Sequence, residues 1–379
     1  MVIDYRALLL STIYPNLMSS PRIWLLTGAK QGDNAQAVRL ADSTGLPYER
    51  RRIVLKPGFD IAKPRVKASL HHVDLAASDK LEPPWPDLVL TVGRRMAMVA
   101  LWIKAQSPAT QLALIGPPKR EADKFGLIVV PFHYRTEERA NICRIGLPLL
   151  GIDPKRVAAE GERWREKFAS LPRPLTVLLC GGNIGSHSFD PETAGDILSR
   201  IQAMGDGGSL HVVASRRTPP ETVTAIASAL PKGAVLHRWE TAGVDNPYVG
   251  LLAHGDRFVV TGDSVSMLVE VARLGKPLAI APLRLANRTV ADILRGVHVR
   301  DGAAYLVAAG AQQAMEGLLP LLGLETSTRD FTLLHDFLYR KGWAVPLGEP
   351  FVTPSNPPAD DTAIAARRLM ALLAPGAVR

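Results

Sequence analysis

Polar residues interrupt an apolar run in the second half of the chain. Residues 259–270 read VVTGDSVSMLVE, so Gly262, Asp263, Ser264 and Ser266 fall where a predicted strand ends and a predicted helix begins. Asp263 or Ser264 is expected to cap the helix, but capping requires only one of them. A helix N-terminus also presents free N–H donors and about half a positive charge, which favours phosphate binding. The segment therefore predicts contact with a diphosphate.

Glu270 lies in that predicted helix, between Val269 and Val271. A carboxylate with apolar neighbours needs a hydrogen-bonding partner, and the hydroxyls of a ribose would satisfy its oxygens. The alternative is that Glu270 faces solvent and pairs with Arg273 or Lys276, as charged residues on one helix often do. Polar residues at other strand ends favour the nucleotide interpretation.

A glycine turn follows another predicted strand in VLLCGGNIGSHSFD, where Gly181, Gly182 and Asn183 come directly after the apolar run. Consecutive glycines let backbone N–H groups approach a ligand closely, and such a turn can hold phosphate oxygens. A plain connection between strand and helix is the alternative, and Gly-Gly alone does not exclude it.

The next strand ends in SRRTPP, which places Ser215, Arg216 and Arg217 at its carboxyl edge. Arginine matches a diphosphate in charge and in bidentate geometry. The alternative is a solvated turn before the following helix. Trp239, after the strand beyond that, is a candidate for stacking on a nucleobase, although an aromatic residue there can simply pack. Asn246 is a further candidate for nucleotide binding that a helix-capping role would also explain.

The first half contains a second candidate loop, TGAKQGDNAQA, between its first strand and first helix. Its candidate site residues are Gly28, Gly32, Asp33, Asn34 and Gln36. Asp33 is a candidate general base, and capping of the helix by Asp33 or Asn34 is the alternative. His133, just past the apolar run IVVP, is the other candidate base, although a single histidine at a strand end is usually structural.

The elements that position these residues alternate between short apolar strands and helices throughout the chain. Continuous apolar strands separated by helices are typical of parallel sheets buried on both faces. We predict an α/β protein with two Rossmann-like, doubly wound domains that face a cleft. Ligands of such sheets bind beyond the carboxyl ends of the strands. The predicted boundaries are residues 1–150 for the first domain, 151–345 for the second domain and 346–379 for a tail with one helix. Residues 147–173 hold a charged helical segment that is interpreted as the interdomain connection, and a helix is predicted over residues 190–204.

Composition limits the function classes. The 379 residues are 47% hydrophobic and 21% charged, as in soluble globular proteins. Cys143 and Cys180 fit no metal-ligand or disulfide spacing, so a reducing cytoplasm is expected. No apolar run reaches the ~20 residues of a membrane-spanning helix, and the N-terminal ALLLSTIYPNLM lacks a basic leader, so it is interpreted as a packing segment.

The net charge of +9 is concentrated in the first half, where 21 Lys and Arg face 13 Asp and Glu. We expect this excess to attach the protein peripherally to an anionic inner-membrane surface. The candidate membrane-binding residues are Arg50, Arg51, Arg52, Lys56, Lys63, Arg65 and Lys67. A solvated basic loop is the alternative. Nucleic-acid binding is not expected, because these basic residues are not interleaved with aromatic residues and no recognition motif is present.

Several catalytic motifs are missing from the sequence. There is no Asp-x-Asp triplet and no His/Cys/Asp cluster with metal spacing, so no metal or other cofactor is expected. The P-loop pattern and the Gly-x-Ser-x-Gly elbow are also absent, which argues against P-loop nucleotide hydrolases and serine hydrolases of that type.

Together the motifs resemble the mitochondrial fission "elongated mitochondria" family, a bacterial and plant group. The resemblance rests on GAKQGDNAQAVRLADSTGLPYE, PDLVLTVGRRMAMVALWIK, SRRTPP, NPYVGLLAHGD and TGDSVSMLVEVARLGKP, and it spans about residues 22–345. That family is similar to glycosyltransferases of the B-type fold, including the enzyme that adds N-acetylglucosamine to the lipid-linked peptidoglycan precursor. Asn183 and His187 depart from the pattern of the glycine loop.

The resemblance implies a nucleotide-sugar donor on the second domain, residues 151–345, and an acceptor on the first, residues 1–150, which is also the membrane-side domain. It places the loop with Gly28, Gly32, Asn34 and Gln36 on the acceptor side, with Asp33 or His133 as the base for the acceptor hydroxyl. It implies that the carboxylate of Glu270 holds the donor ribose and that the turn before it meets the diphosphate. The expected activity is metal-independent glycosyl transfer to a lipid-linked or envelope-related acceptor at the cytoplasmic membrane face. The alternatives are a non-catalytic adaptor of the same fold that recruits a membrane-remodelling partner, and a sugar-nucleotide epimerase.

Overall fold

A computed structural model describes most of the chain. The described residues are 20–57, 59, 67–118, 121–134, 136–183, 187–205, 207–239, 246–285 and 331–374. They form two compact units. Unit 1 contains the described residues within 1–150 and 360–379, and unit 2 contains those within 151–296 and 330–359. Each unit is built on its own parallel six-stranded sheet, so the predicted α/β class with two Rossmann-like domains is confirmed.

The sheet of unit 1 has the strand order β2-β1-β3-β4-β5-β6. Its strands are β1 (Ile23–Thr27), β2 (Glu49–Arg52), β3 (Leu88–Val92), β4 (Gln111–Ile115), β5 (Leu127–Pro131) and β6 (Ile142–Ile145). Its helices are α1 (Gln31–Thr44), α2 (Arg94–Gln106), a short 3₁₀ turn (Ala122–Lys124) and the C-terminal α9 (Thr362–Ala371).

Both faces of this sheet are buried. Ile23 and Leu25 of β1 enter a core with residues of α1 and α9. Trp24 and Leu26 enter the opposite core, which contains the buried residues of α2. Because successive strand residues point to opposite faces, a strand buried on both sides must be apolar throughout, which explains the continuous apolar runs in the sequence.

The C-terminal helix belongs to unit 1, whereas the sequence suggested a separate tail from residue 346. Arg39 of α1 pairs with Asp360 at 2.5 Å, and the Gly146 N–H donates to Asp361 Oδ2 at 2.7 Å. Arg368 Nη1 donates to the Ile142 carbonyl at 2.7 Å. These contacts, together with the apolar face of α9, attach residues 360–371 to β6 and α1.

The sheet of unit 2 has the order β10-β9-β7-β11-β12-β14. Its strands are β7 (Leu175–Cys180), β9 (Ser209–Ala214), β10 (Val235–His237), β11 (Arg257–Thr261), β12 (Leu278–Ala281) and β14 (Val345–Pro346), with β8 (His187–Ser188) and β13 (Arg284–Leu285) forming a separate antiparallel pair. Its helices are α3 (Pro154–Ala169), α4 (Pro191–Ala203), α5 (Pro220–Ala229), α6 (Tyr248–His254), α7 (Val265–Arg273) and α8 (Phe331–Arg340).

Helices cover this sheet on both faces as well. Ile197 of α4 and Ile226 of α5 share a core with Leu178 of β7. On the opposite face, Phe168 of α3 contacts His211 of β9, with ring centroids 5.6 Å apart. Residues 147–173, interpreted from the sequence as an interdomain connection, therefore include a packed helix of unit 2.

In chain order within unit 2, the strands are arranged 3-2-1-4-5-6, which is the order of dinucleotide-binding sheets. The order reverses between β7 and β11. In unit 1 the corresponding reversal lies between β1 and β3. The loops after these strands are where an open sheet of this type binds its ligands.

Candidate functional site

The site in unit 2 is built from the turns that follow β7, β9 and β11. These turns carry Gly181-Gly182, Ser215 to Thr218, and Gly262 to Ser264, respectively. β7 pairs with both β9 and β11, so the carboxyl ends of the three strands lie side by side. The structure thus brings together candidates that are up to 83 residues apart in the chain.

The amides of the glycine turn are already hydrogen bonded. The Gly181 N–H donates to Thr261 Oγ1 at 2.8 Å, and the Gly182 N–H donates to Asp263 Oδ2 at 2.8 Å. A Cβ on Gly181 would lie 2.2 Å from the Asp263 carboxylate, and one on Gly182 would lie 2.0 Å from the Arg217 carbonyl oxygen. The close approach of the neighbouring turns therefore explains both glycines.

Asp263 is the buried centre of this arrangement, with 4% of its surface exposed. Besides the Gly182 amide, its carboxylate accepts from Thr261 Oγ1 at 2.6 Å and pairs with Arg217 Nη2 at 3.0 Å. Burial raises the pKa of Asp263, and the contacts with Thr261, Arg217 and Gly182 oppose that shift. Asp263 is therefore a desolvated carboxylate whose charge is compensated locally.

The β9 turn is tied to the β7 turn by hydroxyl groups. Ser215 Oγ donates to the Gly181 carbonyl at 3.1 Å, and Thr218 Oγ1 donates to the same oxygen at 2.7 Å. Arg216 and Arg217 are both exposed, and the guanidinium of Arg217 reaches back to Asp263. Ser215 therefore has a structural partner, whereas Arg216 remains a candidate for ligand binding.

The start of α7 lacks the expected side-chain cap. Ser264 occupies the N-cap position without a side-chain hydrogen bond to the helix, and Asp263 is engaged by the neighbouring turns instead. The prediction that one of these residues caps the helix is therefore wrong. Ser266 lies half-buried in the first turn. An uncapped helix start retains N–H donors that can meet an anion.

Glu270 is bonded to a residue that the sequence analysis did not single out. The Tyr248 hydroxyl, at the first position of α6, donates to Glu270 Oε2. Burial raises the pKa of Glu270, and the contacts with Tyr248 and Arg156 oppose this effect. Lys276, proposed as an alternative partner, donates instead to the Ala253 and Gly255 carbonyls. Glu270 is thus half-buried and oriented by a tyrosine.

Two of the remaining donor-side candidates bond to nearby backbone, and the third is an exposed aromatic residue. Asn183 Oδ1 accepts from the Phe189 N–H at 2.8 Å, so this side chain has a partner within unit 2. Asn246 Oδ1 accepts from the Tyr248 N–H at 3.0 Å, although Pro247 rather than Asn246 occupies the N-cap position of α6. Trp239 is 44% exposed at the end of β10.

His335 of α8 is a second residue missed by the sequence analysis. Its Nε2 donates to the Gly262 carbonyl at 2.8 Å, and a Cβ on Gly262 would lie 2.6 Å from the imidazole. Burial lowers the pKa of His335. No pattern in the sequence connects His335 to this turn. In contrast, the motifs SRRTPP, TGDSVSM and NPYVGLLAHGD contain Thr218, Thr261 and Tyr248, respectively.

The candidate loop of unit 1 lies at the end of β1. The Asn34 side chain exchanges two hydrogen bonds with the backbone of Gly28, at 2.7 and 3.0 Å. The helix begins with Lys30 as its N-cap and no side-chain cap, so neither Asp33 nor Asn34 occupies the capping position suggested as the alternative. A Cβ on Gly93, after β3, would lie 3.9 Å from Asp33 Oδ2. Asp33 therefore lies at the point where the strand order of unit 1 reverses.

The surroundings of Gln36, Gly32 and His133 bear on the acceptor-side predictions. Gln36 Oε1 is buried and has no hydrogen-bond partner among the residues that the structure describes. A Cβ on Gly32 would meet no atom within 4 Å, so packing does not require a glycine there. His133 is fully buried beside Tyr134, which favours Asp33 over His133 as the base.

The three basic candidates of β2 do not all lie on one face of that strand. Arg50 and Arg52 are exposed and point to one side of the edge strand β2, while Arg51 points to the other. The Arg51 guanidinium lies 4.7 Å from the centre of the Trp24 ring and pairs with Glu49 at 2.6 Å. Lys56 and Lys67 are exposed; Lys63 and Arg65 lie outside the described residues.

Metal-ligand clusters and membrane-spanning helices are both absent from the described residues. These residues contain no group of three or more His, Cys, Asp or Glu that could hold a metal ion. Within the same ranges, no helix is both long and apolar enough to cross a membrane.

Two solved structures are similar to the chain at low sequence identity. A UDP-GlcNAc 2-epimerase from Methanocaldococcus jannaschii is 12% identical with a TM-score of 0.43, and the match covers 92% of this chain and 99% of that one. A glycosyltransferase from Rickettsia africae is 11% identical with a TM-score of 0.43, covering 85% and 94%. At these values neither likeness assigns an activity to this chain.

Sequence relatives are more informative. The chain is 23% identical over 248 residues to the mitochondrial fission protein ELM1 of Arabidopsis thaliana; the match covers 59% of this chain and 58% of that protein, which is less than two thirds of the relative's length. Residues 31–316 match the family described as Mitochondrial fission ELM1. Since this match spans most of the sequence, the chain belongs to the mitochondrial fission ELM1 family.

Proposed function

We propose that the protein is a metal-independent glycosyltransferase that uses a nucleoside-diphosphate sugar bound by unit 2. The observation that carries this proposal is the Glu270–Tyr248 pair on the helices beside the switch point of a sheet with dinucleotide-binding strand order. A half-buried carboxylate oriented by a tyrosine is suited to accept hydrogen bonds from ribose hydroxyls.

The diphosphate has two sources of positive charge nearby. The start of α7 lacks a side-chain cap, and Arg216 and Arg217 follow β9. In the proposed reaction these groups stabilise the leaving diphosphate, so no metal is needed. Asp33 of unit 1 is the proposed base that accepts the proton of the acceptor hydroxyl.

Binding and catalysis are tested separately. UDP, GDP, ADP and CDP are screened by thermal shift and then by calorimetry, and the matching sugar nucleotides are assayed for hydrolysis in excess EDTA. The proposal expects one nucleotide to bind and its sugar donor to be hydrolysed with chelator present. Absence of binding to all four would overturn it, and loss of hydrolysis in EDTA that magnesium restores would overturn metal independence.

One observation favours a second candidate, a non-catalytic adaptor of the same fold. The amides of the glycine turn and Arg217 are engaged by Thr261 and Asp263, so part of the expected phosphate site is filled from within. An adaptor would use its surface to recruit a membrane-remodelling partner, in keeping with the name of the Arabidopsis relative. Nucleotide binding without donor turnover would favour this candidate.

We further propose that unit 1 attaches peripherally to anionic membrane through exposed basic residues, including Arg50 and Arg52. A lipid-linked acceptor would be consistent with placing the basic excess on the acceptor half of the chain.

A further inference from the structure

Asp263 lies where an anionic ligand would meet the glycine turn of unit 2. In sheets with this strand order the first strand is followed by a turn that approaches the ligand's pyrophosphate. Here that turn follows β7, and its Gly182 N–H donates to Asp263 Oδ2 at 2.8 Å. We propose that Asp263 is an internal anion that takes the place of a ligand phosphate and weakens diphosphate binding at this turn. The inference rests on the proposed nucleotide binding by unit 2.

The contacts of the carboxylate are of the kinds that proteins use to bind phosphate. One oxygen accepts from the Gly182 amide and from the Arg217 guanidinium, at 2.8 and 3.0 Å. The other accepts from the Thr261 hydroxyl at 2.6 Å. Backbone amides, arginine and hydroxyls are also the usual donors to phosphate oxygens. Asp263 therefore uses donors that a phosphate would need.

The carboxylate also fills the space above the glycine turn. A Cβ on Gly181 would lie 2.2 and 2.3 Å from its two oxygens, so the group is packed directly against the Gly181 backbone. A phosphate cannot occupy this volume while Asp263 remains there. A phosphate can therefore bind here only if the Asp263 side chain moves away, or if the phosphate stays farther from the Gly181 backbone.

Asp263 and Arg217 differ in their exposure to solvent. The Asp263 side chain is 0% exposed, while that of Arg217 is 43% exposed. A ligand phosphate can therefore reach the guanidinium from solvent, but it must compete with Asp263 for it and is repelled by the same carboxylate. Among the residues that the structure describes, Cys180 and His335 are also titratable groups near Asp263, and neither supplies a fixed positive charge.

Asp263→Asn tests the inference because it removes the charge and nearly preserves the shape. Calorimetry at pH 7.5 compares the binding of UDP and of inorganic pyrophosphate to the full-length wild type and to the variant. We expect the variant to bind UDP about tenfold tighter or more. Asp196→Asn is the matched control: Asp196 lies on α4 and pairs with Arg200 at 3.1 Å, and its removal should leave binding unchanged.

A second substitution, Arg217→Gln, is made in the wild type and in the Asp263→Asn variant. Its effect on ligand affinity in the two backgrounds distinguishes competition by Asp263 from a purely structural role. If Asp263 holds Arg217 away from the ligand, Arg217→Gln should weaken binding more strongly in the Asp263→Asn background than in the wild-type background. If Arg217→Gln lowers the affinity by the same factor in both backgrounds, the inference is contradicted. Should Asp263→Asn fail to fold, as judged by its thermal transition, Asp263→Ser removes the same charge and serves in its place.

The outcomes separate this inference from the proposed function. If the wild type binds UDP and the folded Asp263 variant binds equally or less tightly, the inference is overturned and nucleotide binding stands. If neither protein binds pyrophosphate or any of UDP, GDP, ADP and CDP, both are overturned. If only the variant binds, the inference is supported and the adaptor becomes the better function for the natural chain.

Discussion

At the scale of single residues, the candidate site depends on threonine and serine hydroxyls that join three strand ends. Thr261 accepts from Gly181 and donates to Asp263, while Ser215 and Thr218 both donate to the Gly181 carbonyl. Buried polar groups are tolerated when each has a partner. The resulting network fixes the backbone of the glycine turn before any ligand arrives.

Gly181→Ala should destabilise unit 2, because the new Cβ would lie 2.2 Å from the Asp263 carboxylate. Overpacking of this kind costs about 1–3 kcal/mol. Equilibrium urea unfolding measures the loss. Gly195→Ala in α4 is the matched control: a Cβ there meets no atom within 4 Å, and stability should rise by roughly 0.5–1 kcal/mol. Equal stability of Gly181→Ala and wild type would mean that the turns are not packed as described.

Tyr248→Phe should weaken nucleotide binding while leaving the fold intact, because Glu270 loses the hydroxyl that orients it. Net hydrogen-bond energies of about 0.5–1.5 kcal/mol predict a two- to tenfold loss of affinity, to be measured by calorimetry. Tyr48→Phe provides a matched control, since the Tyr48 hydroxyl bonds the Asp42 carboxylate at 2.7 Å in unit 1. A Tyr248→Phe variant with wild-type affinity would remove Tyr248 from the site.

The sequence allowed the types of these residues to be predicted better than their partners. Asp263, Ser215 and Arg217 stand out because polar residues follow apolar strands. Their mutual contacts depend on which strands are neighbours, and the chain order alone does not state that. The engagement of the glycine amides by Thr261 and Asp263 was missed for this reason, and so was the contact of His335 with Gly262.

At the scale of elements, long apolar strands and helices with clear ends were predictable. The helix expected over residues 190–204 is α4 (Pro191–Ala203), which starts with Asp190 capping the Thr193 N–H at 2.8 Å. Short elements such as β6 and β14 were missed, because four and two residues carry too little periodicity to identify a strand. The helix of the tail was predicted, but its packing on unit 1 depends on contacts with distant residues.

Strands β9 and β10 carry a histidine pair that should make unit 2 sensitive to acid. His211 Nδ1 lies 3.0 Å from His237 Nε2. Burial, with smaller contributions from His211 and Lys167, lowers the pKa of His237 to about 4. An unfolded histidine titrates near 6.5. The unfolded state therefore binds more protons between these values, and stability that is complete above pH ~6.5 is lost as the pH falls towards about 4.

Thermal unfolding between pH 7.5 and 4 measures this loss. His237→Gln should flatten the dependence on pH, because one of the titrating groups is gone. His71→Gln, an exposed histidine of unit 1, should retain the dependence seen in the wild type. A wild-type transition temperature that stays constant through this range would contradict the assignment.

At the scale of the whole molecule, the charge asymmetry predicts membrane binding by unit 1. Arg50→Glu with Arg52→Glu should reduce sedimentation with vesicles that contain anionic lipid, since each basic residue near such a surface contributes about 1 kcal/mol. Arg163→Glu with Arg165→Glu changes the charge equally on α3 of unit 2 and serves as the control. Binding should fall with salt. Equal sedimentation of the two double variants would leave Arg50 and Arg52 without a membrane role.

The most direct test of the central claim is calorimetric titration of the wild type and of Glu270→Ala with the nucleoside diphosphate that binds best. Loss of hydrogen bonds to a charged group costs about 1.5–3 kcal/mol, so affinity should fall roughly ten- to a hundredfold. Glu166→Ala, which removes an exposed carboxylate of α3, should bind as the wild type does. Equal affinity of Glu270→Ala and wild type, with both proteins folded, would contradict the assignment of this carboxylate to the ribose of a nucleotide donor.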